Sequence, residues 1–328
     1  MRNILCVTLI ALLGGCTSTS VTEKYQDKRN DIINVKDKVI EFETGNVLIG
    51  SVSRLYMSNK CLLIADHKSV DKQIHIFNKN DFSYLTSIGN FGEGPEEITV
   101  MGCLAIDEAH HQLYVSDHAK QKIFSYDMDS VMVDSLYKPQ VKTAMNETLF
   151  PSEYQYINDT LSIAVLIKPT STSTFNQFLG RWNMNTGEMI PMKYTHPDIQ
   201  KKRITFAASE KAGIYVECYT RHDLMTICSL DGELLYNIYG PDWDGGNGNK
   251  LQSFGTVMIG NDKIFVSYCG EDYARDSFPT KILVFDLEGN YLKTLETGYK
   301  ISDCCYDSFN NRIILSLNDV VQFAYLDI

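Results

Sequence analysis

Short β-type runs of apolar residues recur along the chain at a nearly constant spacing. The most regular of them begin at positions 62, 113, 161, 214, 264 and 313, so that successive starts differ by 51, 48, 53, 50 and 49 residues. Their sequences are LLIAD, LYVSD, LSIAV, IYVEC, IFVSY and IILSL. Such runs are typical of buried strands, and six copies of a unit of about fifty residues indicate a repeat architecture.

Each of these runs is one of four strand-like segments in its unit. A more polar strand precedes it, a second β-type run follows it after a loop, and in most units a tight polar turn then leads into a further short strand. The turns have the residue types that hairpins favour, and they read NKND, DMDS, NMNTGE, LDGE and DLEGN. No convincing amphipathic helix lies between the units. We therefore predict an all-β fold, a six-bladed β-propeller with four-stranded antiparallel blades.

A large β-sandwich and a β-helix are the alternatives to this fold. A β-helix would have shorter coils, and a sandwich would not keep its spacing within three residues of fifty across six copies. The pattern therefore favours the propeller.

The two ends of the repeat region complement each other. The last unit stops at Ile328 after its third strand, whereas the segment KDKVIEFETG at 36–45 stands before the first unit without partners of its own. We expect this segment to supply the missing outer strand and to close the ring, because closure pairs sheet edges that would otherwise invite aggregation. The predicted propeller therefore spans residues 36–328.

The N terminus has the features of a lipoprotein signal. Residues 1–15 begin with a positive charge and contain a ten-residue apolar run at 4–13, which is shorter than the ~20 residues of a membrane-spanning helix. The run ends in Leu-Gly-Gly-Cys16, which resembles the bacterial lipobox; an accidental cysteine near an ordinary cleavage site is the alternative. Acyl chains on Cys16 would anchor the protein in the bacterial cell envelope, and we expect the outer membrane, on its periplasmic side or at the cell surface. Residues 16–35 are predicted to be a polar tether.

Charge excludes one class of partner. The chain has 30 Lys and Arg against 41 Asp and Glu, a net charge of −11, so that a surface for nucleic acid is not expected. The 44% of hydrophobic residues suit an ordinary globular domain with a sizeable core.

Cysteine usage argues against a disulfide framework. Nine cysteines occur, and seven remain beyond the signal peptide and the lipobox, an odd number without any CxxC motif. Most of the seven lie in apolar strand-like runs, so we expect buried free thiols.

One loop resembles a known family. The stretch IGNFGEGPEE at 88–97, followed one strand later by LYVSD and KIFSYD, is similar to bacterial six-bladed β-propeller lipoproteins of the TolB-like group, relatives of NHL-type propellers. The resemblance implies the same fold and an envelope location, with this loop joining the outer strand of one blade to the inner strand of the next. Many members of the family have no assigned activity. Glu96 replaces the family's usual glycine, and the matching residues are Gly89, Gly92, Gly94, Pro95 and Glu97.

Candidate ligand-binding residues lie in loops that a propeller would gather on one face. Asp66-His67 and Asp117-His118 are one repeat apart and should therefore occupy equivalent positions in adjacent blades. A carboxylate beside an imidazole can hold a metal ion or act as an acid and base. The alternative is that each aspartate closes its strand by capping the turn through the backbone.

A second group of candidates combines aromatic and cationic side chains. Trp243, Tyr273, Arg221 and Arg275 could form a lip that stacks on a sugar ring or clasps an acidic group. The alternative is that Trp243 packs against a neighbouring loop. The surrounding stretch 240–250 is rich in side-chain oxygens, so a divalent cation such as calcium is the one cofactor left open, although the stretch lacks the EF-hand series.

The functional expectation is binding rather than catalysis. The sequence contains neither a Gly-x-Ser-x-Gly elbow nor a sialidase Asp-box repeat. We expect a non-catalytic cell-envelope scaffold that binds a peptide, glycan or protein partner on its loop-rich face. The alternative is a metal-dependent propeller hydrolase or lyase, similar to lactonases, whose metal is held at the channel mouth by Asp66, His67, Asp117 and His118, so enzymatic activity remains an open question.

Overall fold

Six antiparallel sheets stand around a central channel in the computed structural model, which describes residues 22–328 except 135, 247, 249, 250 and 276. This arrangement confirms the predicted six-bladed β-propeller with four-stranded blades. The predicted signal peptide and Cys16 lie outside the described residues.

The strands are numbered along the chain. Three short strands come first: β1 (Glu23–Tyr25), β2 (Ile32–Asn34) and β3 (Ile40–Glu41). Blade 1 contains β4 (Ser53–Met57), β5 (Cys61–Asp66), β6 (Lys72–Asn78) and β7 (Tyr84–Asn90). Blade 2 contains β8 (Met101–Asp107), β9 (Gln112–Asp117), β10 (Lys122–Asp127) and β11 (Gln140–Ala144). Blade 3 contains β12 (Phe150–Asn158), β13 (Leu161–Pro169), β14 (Phe175–Trp182) and β15 (Met189–Pro191).

The second half of the ring repeats this order. Blade 4 contains β16 (Ile204–Ser209), β17 (Ile214–Tyr219), β18 (Leu224–Ser229) and β19 (Leu234–Tyr239). Blade 5 contains β20 (Leu251–Gly260), β21 (Lys263–Asp272), β22 (Lys281–Asp286) and β23 (Tyr291–Glu296). Blade 6 contains β24 (Ile301–Asp307), β25 (Arg312–Leu317) and β26 (Phe323–Asp327). The described helices are α1 (Met128–Val133) and the 3-10 turns Lys36–Lys38 and Tyr273–Arg275.

The second strand of each blade is apolar on both faces because it lies between two neighbouring blades. In β5, Leu62 packs with Ile314 of blade 6, whereas the next residue, Leu63, packs with Val115 of blade 2. All four side chains are at most 1% exposed, and burial of each contributes about 1.5–3 kcal/mol. This sandwiching explains why the repeated runs are continuous and do not alternate.

The ring closes as predicted near residue 40. Strand β3 pairs antiparallel with β26, with Ile40 opposite Tyr325 and Glu41 opposite Ala324. The Phe42 amide then donates to the Phe323 carbonyl at 3.1 Å. The Phe42 ring stacks on Phe82 of blade 1 with centroids 3.9 Å apart, so the closing strand also contacts the first blade.

The described part of the expected tether is not an extended spacer. Strand β1 adds parallel to β19 at the outer edge of blade 4, and β2 adds parallel to β23 at the outer edge of blade 5. The physical reason is that an outer strand exposes unpaired N–H and C=O groups, which an extended segment of polar composition satisfies with its backbone alone. Residues 22–35 are called the N-terminal strap below.

One predicted turn is instead the start of a helix. The segment DMDS after β10 begins α1, and Asp127 caps it by accepting a hydrogen bond from the Ser130 amide at 2.8 Å. Val131 is buried on the inner side of this helix. The helix precedes β11, so blade 2 keeps its fourth strand.

The cysteines follow the expectation of buried free thiols. The described cysteines are all free and buried, and they are Cys61, Cys103, Cys218, Cys228, Cys269, Cys304 and Cys305. Within the described part of the chain, no helix has the length and hydrophobicity needed to span a bilayer.

Candidate functional site

The glycine-rich loop joins β7 to β8, as the family resemblance implies. The Glu97 carboxylate accepts a hydrogen bond from the Gly94 amide at 2.8 Å, and a Cβ added to Gly92 would lie 2.0 Å from that carboxylate. The Lys120 ammonium donates to the carbonyls of Gly94 and Glu97 at 2.7 and 2.5 Å. Gly89, with a φ of 74°, lies one residue before the end of β7, and Pro95 is exposed in the turn. The matching residues therefore build a rigid connection between blades 1 and 2.

Asp66 and Asp117 occupy equivalent positions in blades 1 and 2, and both are buried. The Asp66 carboxylate accepts hydrogen bonds from the amides of Gly50 and Lys68 at 2.7 and 2.9 Å. The Asp117 carboxylate accepts from Thr99 at 2.8 Å, and further bonds come from the amides that follow it. These contacts match the alternative in which each aspartate organises its turn through the backbone.

His67 and His118 lie half-buried beside these aspartates, near the centre of the ring. Burial lowers the pKa of both imidazoles, and the Arg54 guanidinium adds to the effect at His67. The His118 ring meets Phe150 of blade 3 edge-on at 5.9 Å. The neutral form of both imidazoles is therefore favoured.

The four residues of the metal hypothesis do not converge on one point. Across the described residues, the one group of three potential ligand atoms within 4.8 Å of one another belongs to Asp107, His110 and Asp159. This group lies in the β8–β9 and β12–β13 turns, on the face opposite the glycine-rich loop. The Asp107 carboxylate there already accepts from His110 Nδ1 at 2.9 Å and from the His110 amide at 3.1 Å.

Polar side chains of the inner strands form hydrogen bonds and ion pairs with other blades. Arg54 of β4 reaches Glu153 of β12 at 2.7 Å, in front of the inner strand of blade 2. Asp303 of β24 accepts from the Leu55 amide at 2.8 Å and from Thr256 Oγ1 at 2.7 Å, and burial raises the pKa of its carboxyl. Sequence reasoning missed these residues. Their only signal was the polarity of the first strand in each unit.

On the face that carries the glycine-rich loop, loops of blades 3, 4 and 5 meet around Trp243. Its ring lies 5.7 Å from His196, 5.9 Å from His222 and 5.0 Å from Tyr239, measured between centroids. Trp243 is half-buried by these contacts. It therefore packs against neighbouring loops, as the alternative proposed.

The predicted cationic and aromatic lip forms only in part. The Arg221 guanidinium lies 3.2 Å from the centre of the Tyr273 ring, which is 48% exposed. Arg275 instead pairs with Glu271 at 3.1 Å.

A second arginine–aromatic pair lies beside the first. The Arg203 guanidinium lies 5.2 Å from the centre of the Phe175 ring, which is 44% exposed. Arg203 sits next to Arg221 because the Thr220 amide donates to the Arg203 carbonyl at 2.8 Å. The topology places the loop that ends in Arg203 on this face, but the sequence analysis did not single out Phe175, because its contact with Arg203 depends on loop conformation.

A buried polar layer supports this rim from below. Lys202 Nζ donates to Glu217 Oε1 at 2.7 Å, with both side chains at most 7% exposed. His196 Nε2 lies 2.9 Å from the Tyr239 hydroxyl, which in turn donates to Glu23 of the strap at 2.5 Å. Burial lowers the pKa of His196, so its neutral form is favoured. The layer holds the loops in one arrangement.

Comparison with known proteins agrees on the fold. Residues 17–177, just under half of the chain, match the domain family DUF5128, which is described as a 6-bladed beta-propeller. A search of the curated proteins finds no significant match to this sequence.

Solved structures with the same fold cover nearly the whole chain. A Bacteroides fragilis protein assigned as exported superposes with a TM-score of 0.58 at 13% identity, over 90% of this chain and 87% of its own. A DUF4221 family member from Bacteroides vulgatus gives 0.59 at 11% identity, over 92% and 98%. A luciferin-regenerating enzyme gives 0.57 at 8% identity, over 88% and 94%. At these identities the likeness shows the fold alone, which serves both binding proteins and enzymes.

Proposed function

We propose that this chain is a non-catalytic scaffold of the bacterial cell envelope that binds a peptide, glycan or protein partner on its loop-rich face. The observation that carries the proposal is the pair of stacked arginines, Arg203 on Phe175 and Arg221 on Tyr273, side by side on one rim. A guanidinium that lies over a ring keeps the donors at its edge available for a carboxylate. The ligand best suited to this rim carries carboxylates next to flat or apolar groups.

The charges around the rim support a ligand role for Arg221. Among the described residues Arg221 has no carboxylate within ion-pair distance, unlike Arg275 with Glu271 or Lys202 with Glu217. The supporting layer is buried and already hydrogen-bonded, so ordering the site on binding costs little. An anionic group that reaches the rim would therefore meet a preorganised cation.

Binding is favoured over catalysis because the acidic groups near the channel have structural tasks. The carboxylates of Asp66 and Asp117 accept backbone hydrogen bonds, and Glu153 pairs with Arg54. Such groups are poor general bases, since proton uptake would cost the contacts that hold the loops.

The envelope location rests on the lipobox and on one structural neighbour. Acyl chains on Cys16 would hold the propeller at the outer membrane without a spanning helix. The Bacteroides fragilis protein of the same fold is assigned as exported.

The test uses the mature chain with Cys16→Ser, which removes the lipid. Binding of oligogalacturonate is compared with binding of its carboxyl-reduced, neutral counterpart and of a Glu-rich peptide. We expect the acidic sugar or the acidic peptide to bind, and Arg221→Ala to weaken that binding by about tenfold to a hundredfold, the value of one hydrogen bond to a charged group.

Arg181→Ala is the matched control, because Arg181 is a half-buried arginine of blade 3 that pairs with Asp231 away from this rim. It should leave binding unchanged. Equal loss in both variants, or binding that survives Arg203→Ala and Arg221→Ala together, would contradict the proposal. Turnover of either probe would favour the hydrolase or lyase alternative.

A further inference from the structure

The N-terminal strap is part of the folded ring. Besides β1 and β2, its Val35 is buried in the core between blades 5 and 6. The Lys24 ammonium donates to the Glu288 carbonyl at 2.7 Å, so the strap also bridges blades 4 and 5. The chain is thus attached to the propeller from residue 22 onward.

One arginine locks the strap between these two blades. The Arg29 guanidinium pairs with Asp223 at 2.8 Å, and the two side chains are 6% and 0% exposed. It also lies within 5.8 Å of the ring centres of Phe254, Tyr268 and Phe285. Separating a buried pair of this kind would leave an uncompensated charge inside the protein, which is strongly destabilising.

The direction of β1 determines where the chain leaves the ring. Strand β1 runs parallel to β19, which starts at the 230–233 turn and ends at the loop that contains Trp243. Thr22 precedes β1 and accepts from the Asn237 amide at 2.7 Å. Residue 22 therefore lies at the outer edge of blade 4, level with the middle of β19, and from there β1 runs toward the rim of Arg203 and Arg221.

The length of chain before the strap limits the distance to a lipid anchor. Six residue steps separate Cys16 from Thr22, and a fully extended chain covers about 20 Å in six steps. A free tether of the nineteen residues 17–35 would have reached about 65 Å. The strap therefore shortens the greatest possible distance between the lipid anchor and the propeller to about a third.

We infer that the outer edge of blades 4 and 5 faces the lipid bilayer, and that the rim of Arg203 and Arg221 is held on the aqueous side. This inference rests on the lipid anchor of the proposed function. Tyr25 and Ile32, which are 67% and 55% exposed on the strap, lie on this edge, and Ile33 is exposed beside them. Tyrosine and aliphatic side chains are suited to a membrane interface.

The experiment measures energy transfer from a dye on the lipidated full-length protein to an acceptor on lipid headgroups, in phosphatidylethanolamine–phosphatidylglycerol vesicles. Three exposed positions are labelled in separate variants: Lys28→Cys on the strap, Val70→Cys in blade 1 and Val133→Cys in blade 2. Unsubstituted protein measures labelling of the buried native cysteines. We expect transfer from position 28 to exceed the other two by roughly twofold or more, because the anchor keeps this edge within about 20 Å of the bilayer.

A flexible insertion of glycine and serine between residues 21 and 22 is the matched control. With this insertion, energy transfer from the three labelled positions should become equal, while the protein still floats with the vesicles. Equal transfer in the parent protein, or strongest transfer at position 70, overturns the orientation and leaves the anchor intact. Failure to float overturns the proposed anchor, and the orientation with it. A dimer of unlipidated chains in which dye on position 28 is shielded would assign this edge to a second copy and refute the inference.

Discussion

The Arg29–Asp223 pair offers the sharpest test of how the strap is held. Arg29→Ala removes the guanidinium and leaves the Asp223 carboxylate, which is 0% exposed, without its cation. Breaking a buried pair by removing one partner costs about 3–5 kcal/mol. The loss falls first on the strap, because the Arg29 side chain is its buried ionic contact with blade 4.

The free-energy cost of Arg29→Ala can be measured from amide hydrogen exchange in β1 and β2. A loss of about 3–5 kcal/mol corresponds to roughly a 10²- to 4 × 10³-fold drop in protection. The amides of Glu23–Tyr25 and Ile32–Asn34 should show it, while the amides of β5 in blade 1 keep their protection. Measurement by hydrogen exchange on the Cys16→Ser chain avoids any assumption that the whole ring unfolds in one step.

The pH dependence of this effect has a definite sign. Burial already raises the pKa of Asp223, and Arg29 opposes that rise. Without Arg29 the folded-state pKa rises further above its unfolded value, so the protonated form stabilises the fold at low pH and this support is lost as pH increases. The penalty of Arg29→Ala should therefore be smaller at pH 5 than at pH 8.

A double variant separates the ion pair from simple packing. Arg29→Met with Asp223→Leu removes both charges and keeps apolar volume, and such exchanges are often neutral or stabilising. Recovery of protection in this variant would support the argument. Unchanged exchange in Arg29→Ala, or a double variant as unstable as the single one, would refute it.

Three further predictions concern the ring itself. Gly92→Ala should lower the unfolding free energy by about 1 kcal/mol, because its Cβ would lie 2.0 Å from the Glu97 carboxylate and would displace it from its hydrogen bond with the Gly94 amide. An unchanged melting temperature would contradict the rigid-loop interpretation. Phe42→Ala should cost about 2 kcal/mol in urea unfolding by weakening ring closure on Phe82, whereas Val320→Ala, a fully exposed site, should not. The unfolding free energy should fall as pH drops below the ordinary histidine pKa of about 6.5, because burial lowers the pKa of five imidazoles that the unfolded chain would protonate. These are His67, His75, His118, His196 and His222. An unfolding free energy that stays constant from pH 8 to pH 5 would contradict this prediction.

Several features of the candidate site could be predicted because they depend on neighbours in sequence or on the repeat. The equivalence of Asp66 and Asp117 follows from the fifty-residue period, and each meets backbone amides within its own turn region. Arg221 and Tyr273 could be proposed as partners because the propeller topology places their loops on one face. Their actual contact, like the separation of Arg275 and Trp243 from it, depends on loop conformations that no periodicity specifies.

The amino-acid sequence alone determined the number of blades, the four strands of each unit and the closure near residue 40. It did so because every blade is buried on both faces, which leaves continuous apolar runs, and because a missing strand at one end matches a spare strand at the other. The tertiary structure alone decided that residues 22–35 bind the outside of the ring. One reason is that Arg29 pairs with Asp223, which is 194 positions away in the sequence. The other is that pairing at a sheet edge uses the backbone, so a polar segment that joins a sheet edge has the same composition as one that remains in water.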